Sequence, residues 1–179
     1  MNAPLPQQAT ESAANIYERV SHNFNEVAGK LASRLSSETQ GEVLFGAADC
    51  GRYATDASIY QVKPVGVFVP RFAHEVPTAM AICRDLGVPI VPRGGGTSQC
   101  GQTTGAGLVI DHTKYIRNVL AVDVEKRTVE VEPGMVLDHL NASLKKHGLW
   151  FPVDVSTSAQ ATLGGMAGNN SCGSRSIAY

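Results

Sequence analysis

The sequence has almost no net charge and no long apolar run. Its 15 Lys and Arg residues nearly balance its 16 Asp and Glu residues, which leaves no basic field to attract nucleic acid or an anionic membrane. No run approaches the roughly 18 apolar residues of a membrane span, and residues 1–10 lack the apolar core of a secretory signal. We therefore expect a cytoplasmic protein with no nucleic-acid partner and no transmembrane segment.

The sequence also lacks paired cysteines. Its four cysteines show no C-x-x-C spacing, which argues against a zinc or iron–sulfur site and against a disulfide framework. His139 and His147 fall eight residues apart on one predicted helix, too far to share a metal ion. We expect no metal site and four reduced, isolated thiols: Cys50, Cys83, Cys100 and Cys172.

A single apolar stripe runs along residues 11–37. Its members recur every three or four residues, as on one face of a helix: Ile16, Val20, Phe24, Val27, Leu31 and Leu35. We expect a long amphipathic helix that packs on the domain surface, the alternative being a docking helix for a partner. The predicted organisation is a tail and helix in residues 1–44, followed by a domain in residues 45–179.

The first part of that domain reads as strand, helix and strand. Residues 65–70 and 88–91 are almost wholly apolar, as buried strands are, and Gly87 is placed to cap the intervening helix over residues 74–86. Ligands of open α/β sheets bind at the carboxyl ends of such strands. The residues expected on the inner face of the helix are Val76, Met80, Cys83 and Leu86.

The second part reads as a strand, a hairpin and a helix. Residues 107–111 form the strand, and alternation in residues 120–131 predicts an antiparallel hairpin with Leu120, Val122, Val124, Val129 and Val131 facing inward. A helix follows over residues 136–147, with Leu137, Leu140 and Leu144 facing inward and Gly148 as its cap. We expect two small lobes with a ligand between them.

A glycine-rich loop stands where the second strand ends. Residues 92–102 read PRGGGTSQCGQ. Glycines at such a position let the backbone approach a bulky group. The backbone N–H groups and the hydroxyls of Thr97 and Ser98 can then donate hydrogen bonds to an anion such as a phosphate. We expect any side chain at Gly95 to occupy the ligand's space. The alternative is a plain surface turn, but residues 162–173 form a second such loop, and a dinucleotide is long enough to need two.

Two other phosphate motifs fit less well. The Gly96 to Gly101 spacing matches a Walker loop, but Gln102 stands where that loop has its lysine. The Rossmann pattern fails because Gln99 takes the position of its third glycine.

Residues 92–102, together with PVDVS at 152–156 and ATLGG at 161–165, resemble the FAD-binding domain of the vanillyl-alcohol oxidase type. Within that group the sequence is most similar to the FAD-linked 2-hydroxy-acid dehydrogenases: glycolate oxidase subunits, D-lactate dehydrogenases and D-2-hydroxyglutarate dehydrogenases. The resemblance covers residues 45–179. It implies an α+β fold with a βαβ lobe and a hairpin–helix lobe, preceded by the long amphipathic helix.

The resemblance also implies a set of cofactor contacts. Residues 93–98 would hold the FAD pyrophosphate, residues 152–156 would line the flavin and ribityl chain, and the second loop would form another clamp. For Arg93 a phosphate contact and a structural ion pair both stay open. The implied set is Arg93, Gly94, Gly95, Gly96, Thr97, Ser98, Gly101, Gln102, Pro152, Asp154, Ser156, Thr162, Gly164, Gly165, Asn170 and Gly173.

Thr97 stands where relatives that attach FAD covalently have a histidine, so we expect non-covalent FAD. The implied reaction is oxidation of a D-2-hydroxy acid to the 2-oxo acid, with electrons passing to an acceptor partner. No catalytic residue is assigned, and His112 is the one nearby candidate for a base. Because the family continues into a substrate domain, we expect an amino-terminal piece that is inactive alone, the alternative being a non-catalytic nucleotide- or flavin-binding module or subunit.

Overall fold

The computed structural model describes residues 13–175, 177 and 178. Helices and strands alternate in the first part of the chain, and a hairpin followed by short helices forms the second. In chain order the elements are α1 Ala13–Glu38, β1 Glu42–Leu44, α2 Ala47–Arg52, β2 Gly66–Val69, α3 Glu75–Leu86, β3 Ile90–Arg93, β4 Leu108–Asp111, β5 Val119–Asp123, β6 Thr128–Val131, α4 Leu137–Leu144 with a 3₁₀ turn at Lys145–His147, and α5 Leu163–Gly168.

The first lobe is a four-stranded sheet in the order β1-β2-β4-β3. β1 runs antiparallel to β2, whereas β2, β4 and β3 are parallel. β2, α3 and β3 form the expected βαβ unit, but β4 lies between the two strands. Every residue of β2 and β4 is buried, as their continuous apolar sequences predict.

Helices α1 and α3 form the core with the sheet. Leu31 and Leu35 of α1 are fully buried in a cluster with Phe68 and Ile82, so the packing interpretation of α1 is confirmed there. The side chains of Ile16, Val20 and Phe24 lie outside the described part of the chain. The division into domains at residue 45 stays a prediction, and β1 precedes it.

The inner face of α3 contains Val76, Cys83 and Leu86 as predicted, but it also contains Ala79 and Ile82 and lacks Met80. Ala79, Ile82 and Cys83 are buried, while Met80 is 51% exposed. At about 100° of rotation per residue, Met80 lies one step around the helix from Ala79 and away from the sheet. Gly87 has the left-handed conformation (φ 66°) and caps the helix as expected.

The second lobe packs the β5–β6 hairpin against α4. Leu137, Leu140 and Leu144 of α4 are buried as predicted. Val119, Val122, Val129 and Val131 pack on the cluster that contains Leu140 and Leu144. The inward prediction for Leu120 and Val124 was wrong: they are 56% and 46% exposed. A bulge between Val119 and Ala121 breaks the alternation because the extra residue shifts the facing of the strand.

A buried carboxylate ties α1 to the sheet. Glu75 is 3% exposed and accepts hydrogen bonds from the backbone N–H groups of Gln40, Arg71 (2.6 Å) and Phe72 (3.0 Å). Burial acts to raise the pKa of Glu75, but these donors outweigh it and hold the pKa below its ordinary value. Glu75 therefore joins the connection that follows α1 to the one that follows β2.

We expect Glu75→Gln to lower the free energy of unfolding by about 2 kcal/mol at pH 7, since hydrogen bonds to a charged acceptor are lost. The folded-state pKa lies below the ordinary value of 4.5, so the carboxylate stabilises the fold above that pH and loses its contribution as the pH falls through the folded-state pKa. Urea denaturation should show the difference from wild type shrinking below about pH 4.5. Glu130→Gln, at an exposed position of β6, is the control, and an equal loss there would contradict the assignment.

Candidate functional site

Two glycine-rich loops meet beyond the carboxyl ends of β3 and β4. The first loop is residues 94–103, and the second loop is residues 162–173, which contains α5. A Cβ added at Gly94 would clash with the Thr162 hydroxyl and lie 3.8 Å from Cα of Gly165. A Cβ at Gly95 would clash with the backbone of Gln160, 2.9 Å from its carbonyl carbon. Gly94 thus lets the first loop contact the second, and Gly95 lets it contact the residues just before the second loop. The expectation that a Gly95 side chain points into ligand space was wrong.

The Arg93 side chain supports the first loop through hydrogen bonds. Its guanidinium donates to the carbonyl oxygens of Thr55 (2.9 Å) and Thr103 (3.3 Å) and lies over the Tyr53 ring at 5.8 Å. Gly96, at φ +65°, leaves room for this group, because a Cβ there would lie 2.8 Å from Cζ of Arg93. These contacts are neither the ion pair nor the phosphate contact considered for Arg93.

The segment after α2 supports the same loop. Asp56 accepts hydrogen bonds from the Thr103 hydroxyl (2.9 Å) and the Ser58 N–H (2.8 Å). The Ala57 N–H donates to the Gly96 carbonyl at 3.1 Å. The first loop is therefore held on one side by residues 55–58 and on the other by the second loop.

The backbone conformation of the second loop is set at the two ends of α5, by a cap at the start and a left-handed residue after the end. Thr162, which is 2% exposed, caps the helix by accepting a hydrogen bond from the Gly165 N–H at 3.3 Å. At the other end Asn170 adopts a left-handed conformation with φ 48°, which asparagine tolerates better than most residues. Across the cleft, Nε2 of Gln102 donates to Oδ1 of Asn169 at 2.9 Å, so a side-chain bridge joins the two loops.

Two cavities lie along this cleft and share part of their walls. The first cavity has a volume of about 390 Å³ and the second about 520 Å³. The first extends toward His112, Pro133 and Gly168, and the second toward residues 95–100, Ser156 and Cys172. Residues common to both linings are Gly94, Gln102, Thr103, Thr162, Gly165 and Asn169.

The cleft is rich in neutral hydrogen-bonding groups. Hydroxyls and amides from both loops line the second cavity. The Ser98 hydroxyl oxygen is the one buried side-chain polar atom without a hydrogen-bond partner among the described residues, and a ligand acceptor would satisfy it. No group of three His, Cys, Asp or Glu side chains that could hold a metal occurs in the part of the chain that the structure describes.

Most of the predicted site residues line these cavities. They are Arg93, Gly94, Gly95, Gly96, Thr97, Ser98, Gln102, Ser156, Thr162, Gly164, Gly165 and Asn170. Their roles in binding stay predictions.

The structure places Gly101, Pro152, Asp154 and Gly173 outside both linings. A Cβ on Gly101, at φ +77°, would clash with the Tyr60 ring. Asp154 accepts hydrogen bonds from the Ser174 hydroxyl (2.8 Å) and the Arg175 N–H (3.1 Å), which lower its pKa. Gly173 packs against Asp154, where a Cβ would clash. Asp154 and Gly173 thus fasten the end of the second loop.

Sequence reasoning missed several lining residues. Thr103 and Asn169 line both cavities. Thr103 directly follows the first predicted loop and Asn169 lies within the second, next to Asn170, which is the signal that could have found them. Pro133 carried no such signal, because only the packing of the second lobe on the first brings it to the cleft.

Comparison with known proteins gives matches over most of the chain. Residues 64–179 match a family model described as FAD binding domain. A D-2-hydroxyglutarate dehydrogenase from Pseudomonas putida is 43% identical over 152 residues, which cover 83% of this chain and 15% of that protein. A glycolate oxidase subunit GlcD from Bacillus subtilis is 36% identical over 147 residues, 79% of this chain and 31% of that protein. This chain thus spans a small part of the relatives' length.

Solved structures share the fold. An alkyldihydroxyacetonephosphate synthase superposes with a TM-score of 0.70 at 22% identity, covering 76% of this chain and 28% of that chain. Physcomitrella patens BBE-like 1 gives a TM-score of 0.65 at 21% identity, covering 77% and 30%. Among the described residues no helix has the length and apolarity to cross a membrane.

Proposed function

The chain belongs to the FAD binding domain family, and from that premise we propose that it supplies the FAD-binding part of a flavin-dependent oxidoreductase that oxidises a D-2-hydroxy acid to the 2-oxo acid. Relatives that are at least 34% identical and named D-2-hydroxyglutarate dehydrogenase, glycolate oxidase subunit or D-lactate dehydrogenase support this class of substrate. FAD is the cofactor. An electron-accepting partner and a cytoplasmic location are part of the proposal.

The single observation that carries the proposal is the pair of glycine loops with a cleft along their junction. We assign the FAD diphosphate to the backbone N–H groups of residues 94–98 and to the hydroxyls of Thr97 and Ser98. The buried Ser98 hydroxyl, which has no hydrogen-bond partner among the described residues, supports this assignment, since a phosphate oxygen would accept its hydrogen bond. Two adjoining cavities also suit a ligand with two bulky ends.

When bound, FAD supplies the hydride-accepting ring. The residues of this chain would contribute position and solvent exclusion around it. The Gln102–Asn169 bridge and the contact of Gly94 with Thr162 fix the separation of the two walls. Neutral donors in the cleft would hold the diphosphate without a basic side chain.

Binding of FAD to the 179-residue chain tests the proposal. We expect a yellow protein after incubation with FAD and gel filtration, and no such retention with FMN, which lacks the second phosphate and the adenosine. Acid precipitation should leave all of the flavin in the supernatant. Relatives that attach FAD covalently do so through a histidine, and Thr97 stands at that position here. A yellow pellet would contradict the non-covalent assignment, and a colourless protein that binds neither flavin would contradict FAD binding.

A non-catalytic flavin-binding module is the second candidate, and one observation favours it. The ionisable side chains that line the two cavities, among the described residues, are those of Arg93, Cys100, His112 and Cys172. Arg93 is engaged by two backbone carbonyls. No cluster of cations is therefore available in these linings to hold a substrate carboxylate, and His112 is the one histidine there that could act as a base.

We expect the FAD-loaded chain to show no turnover of D-lactate, D-2-hydroxyglutarate or glycolate with a dye as electron acceptor. Hydride transfer requires that a base removes the hydroxyl proton while the α-carbon is held over the flavin. The described cavity linings contain no cluster of cationic side chains to hold the substrate carboxylate in that position. The Pseudomonas putida relative serves as the positive control. Activity that is lost in His112→Ala would contradict the prediction and identify the base within this chain.

A further inference from the structure

Two of the four cysteines lie on the same cavity. Cys100 belongs to the first loop and Cys172 to the second, and both are exposed and line the second cavity. The sequence separates them by 72 positions and gives no hint of a pair. All four cysteines are free, as expected, and the fold brings two of them to the lining of one cavity.

The other two cysteines are in a different situation. Cys50 and Cys83 are buried, and burial raises the pKa of each thiol, that of Cys83 to about 11. A buried thiol with a raised pKa reacts slowly, because the thiolate is the nucleophile. The chain thus contains two accessible thiols and two internal controls.

The walls that carry the accessible thiols are already in contact. The Gln102–Asn169 hydrogen bond of 2.9 Å joins the loops two residues from Cys100 and three residues from Cys172. The loops also touch at Gly94 and Thr162. A disulfide needs Cα atoms about 4.4–6.8 Å apart, and these two contacts limit how far the loops that carry Cys100 and Cys172 can separate.

We propose that Cys100 and Cys172 are an oxidisable pair whose disulfide bridges the two glycine loops and closes the second cavity to FAD. The oxidant is a peroxide. One thiolate attacks an oxygen of hydrogen peroxide and the leaving hydroxide takes up a proton from the solvent, which gives a sulfenic acid and water; the second thiol then attacks that sulfur to give the disulfide and a second water. The two sulfur atoms lose two electrons, and the peroxide is reduced to two molecules of water.

Closure follows from the position of the bond. Cys100 and Cys172 both line the cavity of about 520 Å³, and a disulfide would hold the loops that carry them together at that cavity. Bound FAD should in turn shield both thiols, because it would fill the space between them. This inference rests on the proposed function, since it assigns FAD to that cavity.

The test treats the FAD-free 179-residue chain with hydrogen peroxide and measures its intact mass without reductant. We expect the monomer to lose about 2 Da as two hydrogens leave, and peptide mapping to join Cys100 to Cys172. FAD affinity, followed by quenching of flavin fluorescence, should fall at least tenfold and return after treatment with dithiothreitol. Cys100→Ser and Cys172→Ser should each abolish both the mass loss and the difference in affinity between the peroxide-treated and reduced forms of that variant.

The inference would be overturned by no intramolecular loss of 2 Da, by a bond that involves Cys50 or Cys83, or by a loss of affinity smaller than tenfold in the oxidised protein. If the reduced wild-type chain does not bind FAD, the proposed function fails, whereas the mass measurement still tests the cysteine pair. FAD added before the peroxide should protect the thiols. Equal oxidation with and without FAD would also overturn the inference.

Discussion

Gly95→Val should abolish FAD binding and destabilise the chain. The Cβ of valine would clash with the carbonyl group of Gln160, which is a backbone group that cannot rotate away as a side chain would. Relieving the clash moves the first loop away from the residues just before the second loop, at a cost of about 1–3 kcal/mol for overpacking. The expected result is no retained flavin after gel filtration and a lower urea midpoint.

Gly51 provides the control for this substitution. It lies in α2, and a Cβ there would meet nothing within 4 Å. Gly95→Ala should weaken FAD binding at least tenfold, whereas Gly51→Ala should leave it unchanged. Normal flavin retention by Gly95→Val would show that the junction of the two loops is not the cofactor site.

Gly134→Ala should prevent the two lobes from packing on each other. The Gly134 N–H donates to the Ile116 carbonyl at 2.9 Å. A Cβ at this position would lie 2.5 Å from that oxygen and 2.8 Å from the carbonyl carbon of His112. Because both neighbours are backbone atoms of the segment after β4, the strain cannot be relieved by a change of rotamer. We expect a loss of about 3 kcal/mol or more in the free energy of unfolding.

Gly29→Ala is the matched control, with an effect of opposite sign. Gly29 lies within α1 and a Cβ there would meet nothing within 4 Å. Alanine is favoured over glycine in a helix by about 0.5–1 kcal/mol, so this variant should raise the urea midpoint. A Gly134→Ala protein with wild-type stability would show that the junction of the lobes tolerates movement.

The sequence predicted those features that depend on local periodicity. The buried strands β2 and β4, the caps at Gly87 and Gly148 and the inner face of α4 depend on patterns within a few residues, and the structure confirms them. β1 and α2 were missed, because three and six residues are too few for a periodic pattern to stand out. The bulge at Leu120 was missed because one extra residue in β5 breaks the alternation, so that Val119 and Val122 face inward while Leu120 is exposed.

The candidate site shows the same limit at longer range. The two loops were recognised from their composition, and most of their residues line the cleft. The direction in which each glycine faces could not be read from sequence, because Gly95 meets Gln160 only after the lobes have come together. The same applies to Cys100 and Cys172, whose relation is created by tertiary packing and by nothing in their spacing.

The strand order also bears on how the protein folds. In the described structure β3 pairs only with β4, which is inserted between β3 and β2. During synthesis the helix α3 and the first glycine loop leave the ribosome before the strand on which β3 docks, so the loop cannot be fixed until residues 108–111 have emerged. Pairing across such a gap carries the entropy of closing the intervening loop. We expect refolding experiments to show protection of the amides of β3 and β4 in the same phase, after the helix α3 has formed.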